Sequence, residues 1–339
     1  MKKVIAILLI LVVLVSVAAC GRKSDENASK GNQLSIGMVT DVGGVNDLSF
    51  NQSAWEGLGK AKDDFGVDVN YLESKQESDY ETNLQFLVDE ETDLTLAIGY
   101  MMSDALKNAA LNFPNNKFAI VDNSYGEETP SNVVGITFKE HEASFLVGYI
   151  AGKMTKTNKV GFVGGVDFYV INKFQYGFMS GVKYANPDAE IFVQYAGSFG
   201  DAAAGKSIAE QFYNSGADIV YHASGATGNG VIEAAKEKNK WVIGVDRDQS
   251  DLAPENVLTS AVKRVDHAAY SIIEDLQNGK WMGGKSVSYG LAEGGVDIAP
   301  TSDKHVPKEI LDEVEELRKK IIDGIVMVPE NKEEYEKEF

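Results

Sequence analysis

The chain has 339 residues, of which 44% are hydrophobic and 24% charged, and its formal net charge is −19. This composition is typical of a globular protein. The roughly 300 residues that follow the amino-terminal segment supply enough apolar side chains for two ordinary domains. The strongly acidic balance argues against nucleic acid as a partner, because nucleic-acid phosphates are bound by basic surfaces.

The amino-terminal segment has the pattern of an export signal. Two lysines precede an apolar run over residues 4–15, which is too short for a membrane span of about 20 residues. Residues 17–20, Val-Ala-Ala-Cys, resemble a bacterial lipobox, and Cys20 is the only cysteine, which excludes an internal disulfide. We therefore predict a lipoprotein signal peptide over 1–19 and a lipid anchor such as palmitate on Cys20, at the extracytoplasmic face of the membrane. The alternative is an incidental cysteine in an uncleaved anchor.

Residues 20–33 are polar and free of large apolar side chains, which predicts a flexible tether. From residue 34 onwards, short β-branched runs alternate with segments whose apolar residues are three and four apart. This alternation predicts an α/β fold with buried parallel strands, better divided between two sheets than placed in one. The predicted strands are LSIGMVT, VDVNYLE, TLAIGY, FAIVDN, KVGFVGG, EIFVQYAG, DIVYHAS and WVIGVD.

An extra strand over about 133–138 and the long helix that follows it separate the two sets of strands. The later segments VLTSAVKR and KSVSYGLAEGG are expected to cross back between the lobes. We assign 34–137 with about 262–293 to lobe 1, and about 138–261 with 294–339 to lobe 2. Ligands of open α/β sheets bind beyond the carboxyl ends of the strands, so we expect a ligand cleft between the lobes.

The end of the first predicted strand carries polar residues. In TDVGGVNDLSFNQSAWEG, residues 40–57, Asp41 lies where a ligand would be met, and a helix begins near Phe50 and Asn51. Phe50 is as consistent with a core position as with a ligand contact. Asp47 is best explained as a cap for the helix, because it stands just before the helical run.

The segment GSFGDAAAGKS, residues 197–207, satisfies the spacing of a phosphate-binding P-loop from Gly200 to Ser207. The strand WVIGVD would add Asp246 as a magnesium ligand. Three alanines stand where such loops usually have glycine, and an exported chain meets little ATP. A P-loop nucleotide hydrolase is kept as an alternative; otherwise Lys206 is a solvated residue in the first turn of a helix.

No pattern typical of an enzyme or a metal site stands out. The histidines are scattered through the chain and show no paired ligand spacing, and no motif of an activated nucleophile is present. We therefore predict a protein without cofactor, metal or catalytic residues. The four histidines are His141, His222, His267 and His305.

Several motifs together resemble one family. The segment 40–57, with AIVDN, HEASFLVGYIAGKMTKTNKVGFVGG, INKFQYGFMSGVKYANP, GSFGDAAAGKS, GATGNGVIEAAKE and VIGVDRDQ, is similar to the basic membrane protein family of bacterial lipoproteins. That family includes the purine nucleoside receptors of the PnrA type, and the similarity covers most of residues 34–300. The resemblance implies a type I periplasmic-binding-protein fold, in which a monomer closes two doubly wound lobes on a nucleoside and delivers it to an ABC transporter permease.

The resemblance also implies roles for individual residues around the base. Phe50 in the first lobe and Phe199 in the second match the two aromatic residues that sandwich the purine, and Phe174 is a reserve aromatic. Asp41 and Asn51 match the positions that bind the base edges. Asp122, in AIVDN, is placed with them.

The matching ribose-binding group consists of Asp246, the backbone at Gly225 and Lys263. Each has a simpler explanation, since Asp122 and Asp246 are also placed to cap turns and Lys263 to be a surface charge. The glycines from Gly225 to Gly230 form only a weak dinucleotide-like pattern. A sugar or another small signalling molecule is an alternative ligand for the same fold, because sugars also stack on aromatic rings.

Overall fold

Two six-stranded sheets form the framework of residues 33–339, the part of the chain that this computed structural model describes. The predicted signal peptide, Cys20 and residues 20–32 of the predicted tether lie outside the described residues. Within the described part, none of the helices has the length and apolar character needed to cross a membrane.

Strands and helices alternate along most of the described chain, as the sequence pattern predicts. The strands are β1 (Ser35–Val39), β2 (Asp68–Leu72), β3 (Leu94–Ile98), β4 (Phe118–Val121), β5 (Val133–Phe138), β6 (Lys159–Gly164), β7 (Glu190–Tyr195), β8 (Ile219–Ala223), β9 (Trp241–Asp246), β10 (Val257–Lys263), β11 (Lys285–Tyr289) and β12 (Val296–Ile298). The helices are α1 (Phe50–Phe65), α2 (Asp79–Asp89), α3 (Ser103–Asn112), α4 (Glu140–Met154), α5 (Tyr169–Ala185), α6 (Ala202–Asn214), α7 (Thr227–Lys238), α8 (Val265–Gln277), α9 (Lys308–Ile322) and α10 (Lys332–Glu338).

The first sheet has the strand order β11-β5-β4-β3-β1-β2, and its neighbouring strands are parallel. The second sheet has the order β12-β10-β9-β8-β6-β7, with β12 antiparallel to β10 and the other pairs parallel. In both sheets the strand order reverses beside the first strand, which is the doubly wound arrangement and places ligand sites at the carboxyl ends of the strands.

Two strands are less buried than the sequence analysis predicts. The side chains of β2 and β7 are mostly exposed or half-buried, whereas β3 and β8 are buried throughout. The reason is position, since β2 and β7 lie at the edges of their sheets and each pairs with only one neighbour. Burial of a strand depends on its place in the sheet, which the local pattern does not specify.

The chain passes between the two sheets three times. It leaves the first sheet after β5, returns to it from β10 to β11, and leaves again from β11 to β12. Helix α8, on the way from β10 to β11, packs on α1, and α4 packs on α5 and against β10 and β12. These crossings connect the two sheets beside the carboxyl ends of their strands. The lobe boundaries themselves stay a prediction.

Candidate ligand-binding site

A cavity lies between the two sheets. Its walls follow the carboxyl ends of strands from both sheets, where open α/β folds hold their ligands. Seven of the eight residues selected by the resemblance line this cavity: Asp41, Phe50, Asp122, Phe199, Gly225, Asp246 and Lys263.

Aromatic side chains enter the cavity from both sheets. Phe50 is the first residue of α1, directly after the loop that follows β1. Phe199 lies in the loop between β7 and α6, and only 9% of its surface is exposed. Phe174 also lines the cavity, with its ring centroid 5.6 Å from the ammonium of Lys263. The site therefore offers flat apolar surfaces on more than one side.

Two further aromatic residues line the cavity that sequence reasoning did not select. Tyr100 follows β3 and stacks on Phe168, which lies in the loop after β6; the ring centroids are 5.1 Å apart and the planes are inclined by 17°. Phe168 in turn meets Phe199 edge-on at 5.9 Å. Both residues come soon after the carboxyl end of a strand, so the rule that selected Asp41 and Asp122 could also have found them.

Asn51 holds Asp41 in place. The amide nitrogen of its side chain donates to Oδ1 of Asp41 at 2.7 Å, and its amide oxygen accepts from the backbone N–H of Asp41 at 3.2 Å. The backbone N–H of Gly43 also donates to Oδ1 of Asp41, at 2.8 Å. Asn51 is almost fully buried beside Asp41, and its direct contact with a ligand stays a prediction.

Asp47 caps α1, as the sequence analysis predicts. Its carboxylate accepts hydrogen bonds from the backbone N–H groups of Ser49, Asn51 and Gln52, at 2.8 to 3.1 Å. These are the groups that the first turn of a helix leaves without intrahelical partners. Asp47 also lines the cavity, a position for which the capping pattern gives no signal.

Lys263 is a buried cation, not a surface charge. It is the last residue of β10, its side chain is 2% exposed, and its Nζ donates to Oδ1 of Asp122 at 2.6 Å. The ammonium also lies 3.0 Å from Oε1 of Glu140 and 5.0 Å from the ring centroids of Phe50 and Phe138. A charge buried this deeply is stable only with such partners around it.

Asp122 and Asp246 both have unusual backbone conformations. Their φ angles are 72° and 66°, in the left-handed region that residues other than glycine rarely adopt. The side chain of Asp122 binds Lys263, and the carboxylate of Asp246 accepts a hydrogen bond from the hydroxyl of Ser49. Neither side chain is used to cap the following turn. Strained conformations of this kind are concentrated at functional sites.

Burial alters the titration of the cavity carboxylates. Desolvation raises the pKa of Asp41 to about 6 and that of Asp246 to about 7. The pKa of Asp122 is also raised by burial, although the nearby ammonium of Lys263 opposes the shift. Carboxylates with a perturbed pKa in a cleft are candidates for ligand contacts.

The raised pKa of Asp246 predicts a pH-dependent effect on stability. Since its ordinary pKa is 3.8, the folded protein binds a proton at this site between about pH 4 and pH 7 that the unfolded chain does not bind. This extra proton binding stabilises the folded state at low pH, and the stabilisation is lost as the pH rises towards 7. We therefore expect the free energy of unfolding of Asp246→Asn, relative to the wild type, to increase from pH 5 to pH 7 and then to level off.

Chemical denaturation of the ligand-free protein at each pH measures this difference. The comparison with the wild type is necessary because burial lowers the pKa of His141 and of His222 to about 4, and these groups have the opposite pH dependence. Their contribution cancels between the two proteins. A difference that stays constant from pH 5 to pH 7 would contradict the prediction.

Comparison with known proteins places this chain in a family. The family model described as ABC transporter substrate-binding protein PnrA-like, Bmp, matches residues 34–332. The chain belongs to this family. A CD4+ T-cell-stimulating antigen of Listeria innocua is 46% identical, and the alignment covers 93% of this chain and 95% of that protein. An ABC transporter nucleoside-binding protein, BmpA, of Lactococcus lactis is 40% identical over 97% of this chain and 99% of its own length.

A solved structure agrees with the fold of the described chain. The solute-binding protein of an ABC transporter system from Aeropyrum pernix has a TM-score of 0.82 and 30% sequence identity, covering 90% of this chain and 96% of that one. The predicted fold class, a type I periplasmic-binding-protein fold with two doubly wound lobes, is confirmed. Members of the family are substrate-binding proteins of ABC transporters, which act at the extracytoplasmic side of the membrane and are not enzymes.

Family membership and local geometry overturn the P-loop alternative. Helix α6 begins at Ala202, and Asp201 caps it by accepting from the backbone N–H of Ala204 at 2.9 Å. Lys206 lies inside this helix and its Nζ is 2.9 Å from both Glu233 and Glu237 of α7. The lysine is therefore occupied by two carboxylates on the outer side of the helix pair. Lys206 stays partly exposed to solvent, and it forms two ion pairs with exposed carboxylates that the sequence did not predict.

One glycine of each motif serves helix packing. A Cβ atom at Gly205 would lie 2.2 Å from the carbonyl oxygen of Thr227, and one at Gly230 would lie 1.8 Å from that of Ala202. Both glycines thus let α6 and α7 approach closely. Of the glycines in these two motifs, Gly225, whose φ angle is 55°, is the one that lines the cavity.

Proposed function

We propose that this protein captures a purine nucleoside, such as guanosine, adenosine or inosine, and delivers it to the permease of an ABC importer. The observation that carries the proposal is a cavity with phenylalanines from both sheets and with carboxylates grouped around one buried lysine. A flat heteroaromatic base matches the phenylalanines of this lining, and a hydroxylated sugar matches its charged groups. The nucleoside-binding name of the Lactococcus relative supports the same ligand class.

The base is assigned to the aromatic part of the cavity. Phe50 and Phe199 would stack on its two faces, and base stacking on an aromatic side chain contributes about 1–3 kcal/mol. Oδ1 of Asp41 is held by Gly43 and Asn51, which orients the carboxylate to accept an N–H of the base edge. We assign Asn51 the role of orienting Asp41.

The ribose is assigned to the charged part of the cavity. Asp246 would accept a hydrogen bond from a hydroxyl, Lys263 would donate one, and the backbone at Gly225 allows close approach. Asp122, which the resemblance places with the base edge, is here assigned to the ribose hydroxyls instead, because its carboxylate binds Lys263. Buried polar groups of this kind lose their partners when an analogue lacks a hydroxyl. They therefore discriminate strongly between related ligands.

The charge of the cavity favours a nucleoside over a nucleotide. Four aspartates line it, and the only lysine or arginine among its lining residues in the described chain is Lys263. Even with Asp41 and Asp246 partly protonated near neutral pH, a phosphate would meet uncompensated negative charge. The same charges are compatible with a sugar, which stays the alternative ligand class.

Lobe closure is the proposed mechanism of capture. Polar contacts join the loop before α1 to the second sheet: the hydroxyl of Ser49 donates to Asp246, and the side-chain amides of Gln249 and Asn229 donate to the backbone oxygens of Leu48 and Asp47. We propose that these contacts form when the chain rotates at hinges near residues 138, 260 and 295. The closed form then signals occupancy to the permease. We further propose that the protein is a monomer anchored through a lipid on Cys20.

The first test is thermal unfolding of the protein with candidate ligands, after unfolding and refolding to remove any co-purified ligand. Guanosine, adenosine or inosine should raise the melting temperature, since a ligand at a hundredfold excess over Kd stabilises the fold by about 2.7 kcal/mol. ATP with magnesium should not raise it. A shift with a free pentose or hexose but with no nucleoside would favour the sugar alternative, and no nucleoside shift at all would overturn the proposal.

A further inference from the structure

Glu140 is a buried carboxylate that contacts the cavity residue Lys263 but does not itself line the cavity. It is the first residue of α4, directly after the chain leaves the first sheet, and only 2% of it is exposed. Its Oε1 lies 3.0 Å from Nζ of Lys263, and its Oε2 lies 3.5 Å from Nζ of Lys173. No motif in the sequence marks this residue, and the function described so far does not use it.

Four buried charges of alternating sign run away from the cavity. They are Asp122, Lys263, Glu140 and Lys173, with side chains that are 9%, 2%, 2% and 8% exposed. Asp122 follows a strand of the first sheet and Lys263 ends a strand of the second, so the row connects the two sheets at the chain crossings. Such a row is stable only when each charge keeps its neighbours, because an unpaired buried charge is costly.

The geometry of the ammonium limits what Lys263 can offer a ligand. An ammonium has three N–H donors. One is directed to Asp122, at 2.6 Å, and Oε1 of Glu140 lies 3.0 Å from the nitrogen as its second ionic partner. The rings of Phe50, Phe138 and Phe174 surround the ammonium at 5.0 to 5.6 Å and restrict other positions. The third donor is the one left for a ligand.

We propose that Glu140 is a positioning residue that sets selectivity for the ribose hydroxyls by holding the ammonium of Lys263 at the back of the cavity. The inference rests on the proposed nucleoside function. With Glu140 present, one donor of Lys263 is free for a hydroxyl. Without it, the attraction of Asp122 and Asp246 is unopposed, and the lysine takes the acceptor positions that the hydroxyls need.

The test compares inosine with its 2′-, 3′- and 5′-deoxy analogues in the wild type and in Glu140→Gln, by calorimetric titration of the full-length protein. In the wild type, we expect at least one deoxy analogue to bind at least tenfold more weakly than inosine. In E140Q, inosine should bind at least tenfold more weakly, and the penalty for that analogue should shrink to about twofold. A loss shared equally by all four compounds, or an unchanged penalty, would overturn the inference.

Two further variants separate positioning from a general loss of structure. Glu330→Gln removes a carboxylate that lies 3.9 Å from Lys173, and it should keep the wild-type selectivity. If E140Q does not fold, the double variant E140Q/K173M removes one charge of each sign and leaves no unpaired charge, and it should show the same loss of selectivity. A double variant with wild-type selectivity refutes the positioning role. A wild type that binds none of the four compounds contradicts the proposed function itself.

Discussion

Replacing Phe199 by alanine should weaken nucleoside binding by about 5- to 150-fold. The ring is buried in the cavity wall, and the loss of one stacking face corresponds to roughly 1–3 kcal/mol, with tenfold in Kd for each 1.4 kcal/mol. Calorimetric titration of the ligand-free protein with guanosine or inosine measures the change. The largest effect is expected for purines, because they have the larger stacking surface.

Two control variants make this result specific. Phe86 is a half-exposed phenylalanine on α2, so Phe86→Ala removes the same side chain outside the cavity and should leave Kd unchanged. Lys206→Ala, which removes the lysine of the apparent P-loop, should also leave Kd unchanged. If Lys206→Ala abolished binding while Phe199→Ala did not, the assignment of the base to Phe199 would be wrong.

Replacing Lys263 by methionine should be the most destabilising of the substitutions considered. It keeps most of the apolar part of the side chain but leaves Asp122 and Glu140 without their buried cation. Removing one partner of a buried ion pair typically costs about 3–5 kcal/mol, because the remaining charge has no compensation. Chemical denaturation without ligand measures the loss, and titration of the folded variant should show no nucleoside binding.

Lys206→Met is the matched control, since it removes a lysine from two ion pairs on the outer side of α6 and α7. Water screens those pairs, so their contribution to stability is expected to be small. The decisive quantity is the difference between the two variants. If the two variants had equal free energies of unfolding, the buried ion pairs of Lys263 would contribute no more to stability than the exposed pairs of Lys206. That result would contradict the prediction.

Much of the fold could be predicted because its determinants are local. Apolar runs and helical spacing repeat within ten to twenty residues, and their alternation is sufficient for parallel sheets covered by helices. The edge positions of β2 and β7 could not be predicted in this way. Their exposure depends on which strands pair with them, and that is decided by contacts between distant segments.

The residues of the candidate site also differ in how far the sequence predicts them. Asp41, Asp122 and Asp246 lie at the ends of predicted strands, so the general rule for ligand sites in α/β folds already selects them. The assignment of Phe50 and Phe199 to a base came from the family resemblance, since a phenylalanine in a loop or first helical turn is equally consistent with the core. Tyr100 and Phe168 follow the same strand-end rule, but the resemblance did not mark them.

The sequence by itself determined the fold class, the acidic character and the polar residues at the strand ends, because each depends on composition or on short-range periodicity. Tertiary structure alone decided the state of the lysines. Lys263 became a buried cation through Asp122, 141 residues away, and Lys206 became a paired residue through Glu233 and Glu237. Spacing along a chain carries no information about which distant carboxylate will approach a given ammonium. That approach, and the desolvation that comes with it, sets the charge and donors of the cavity.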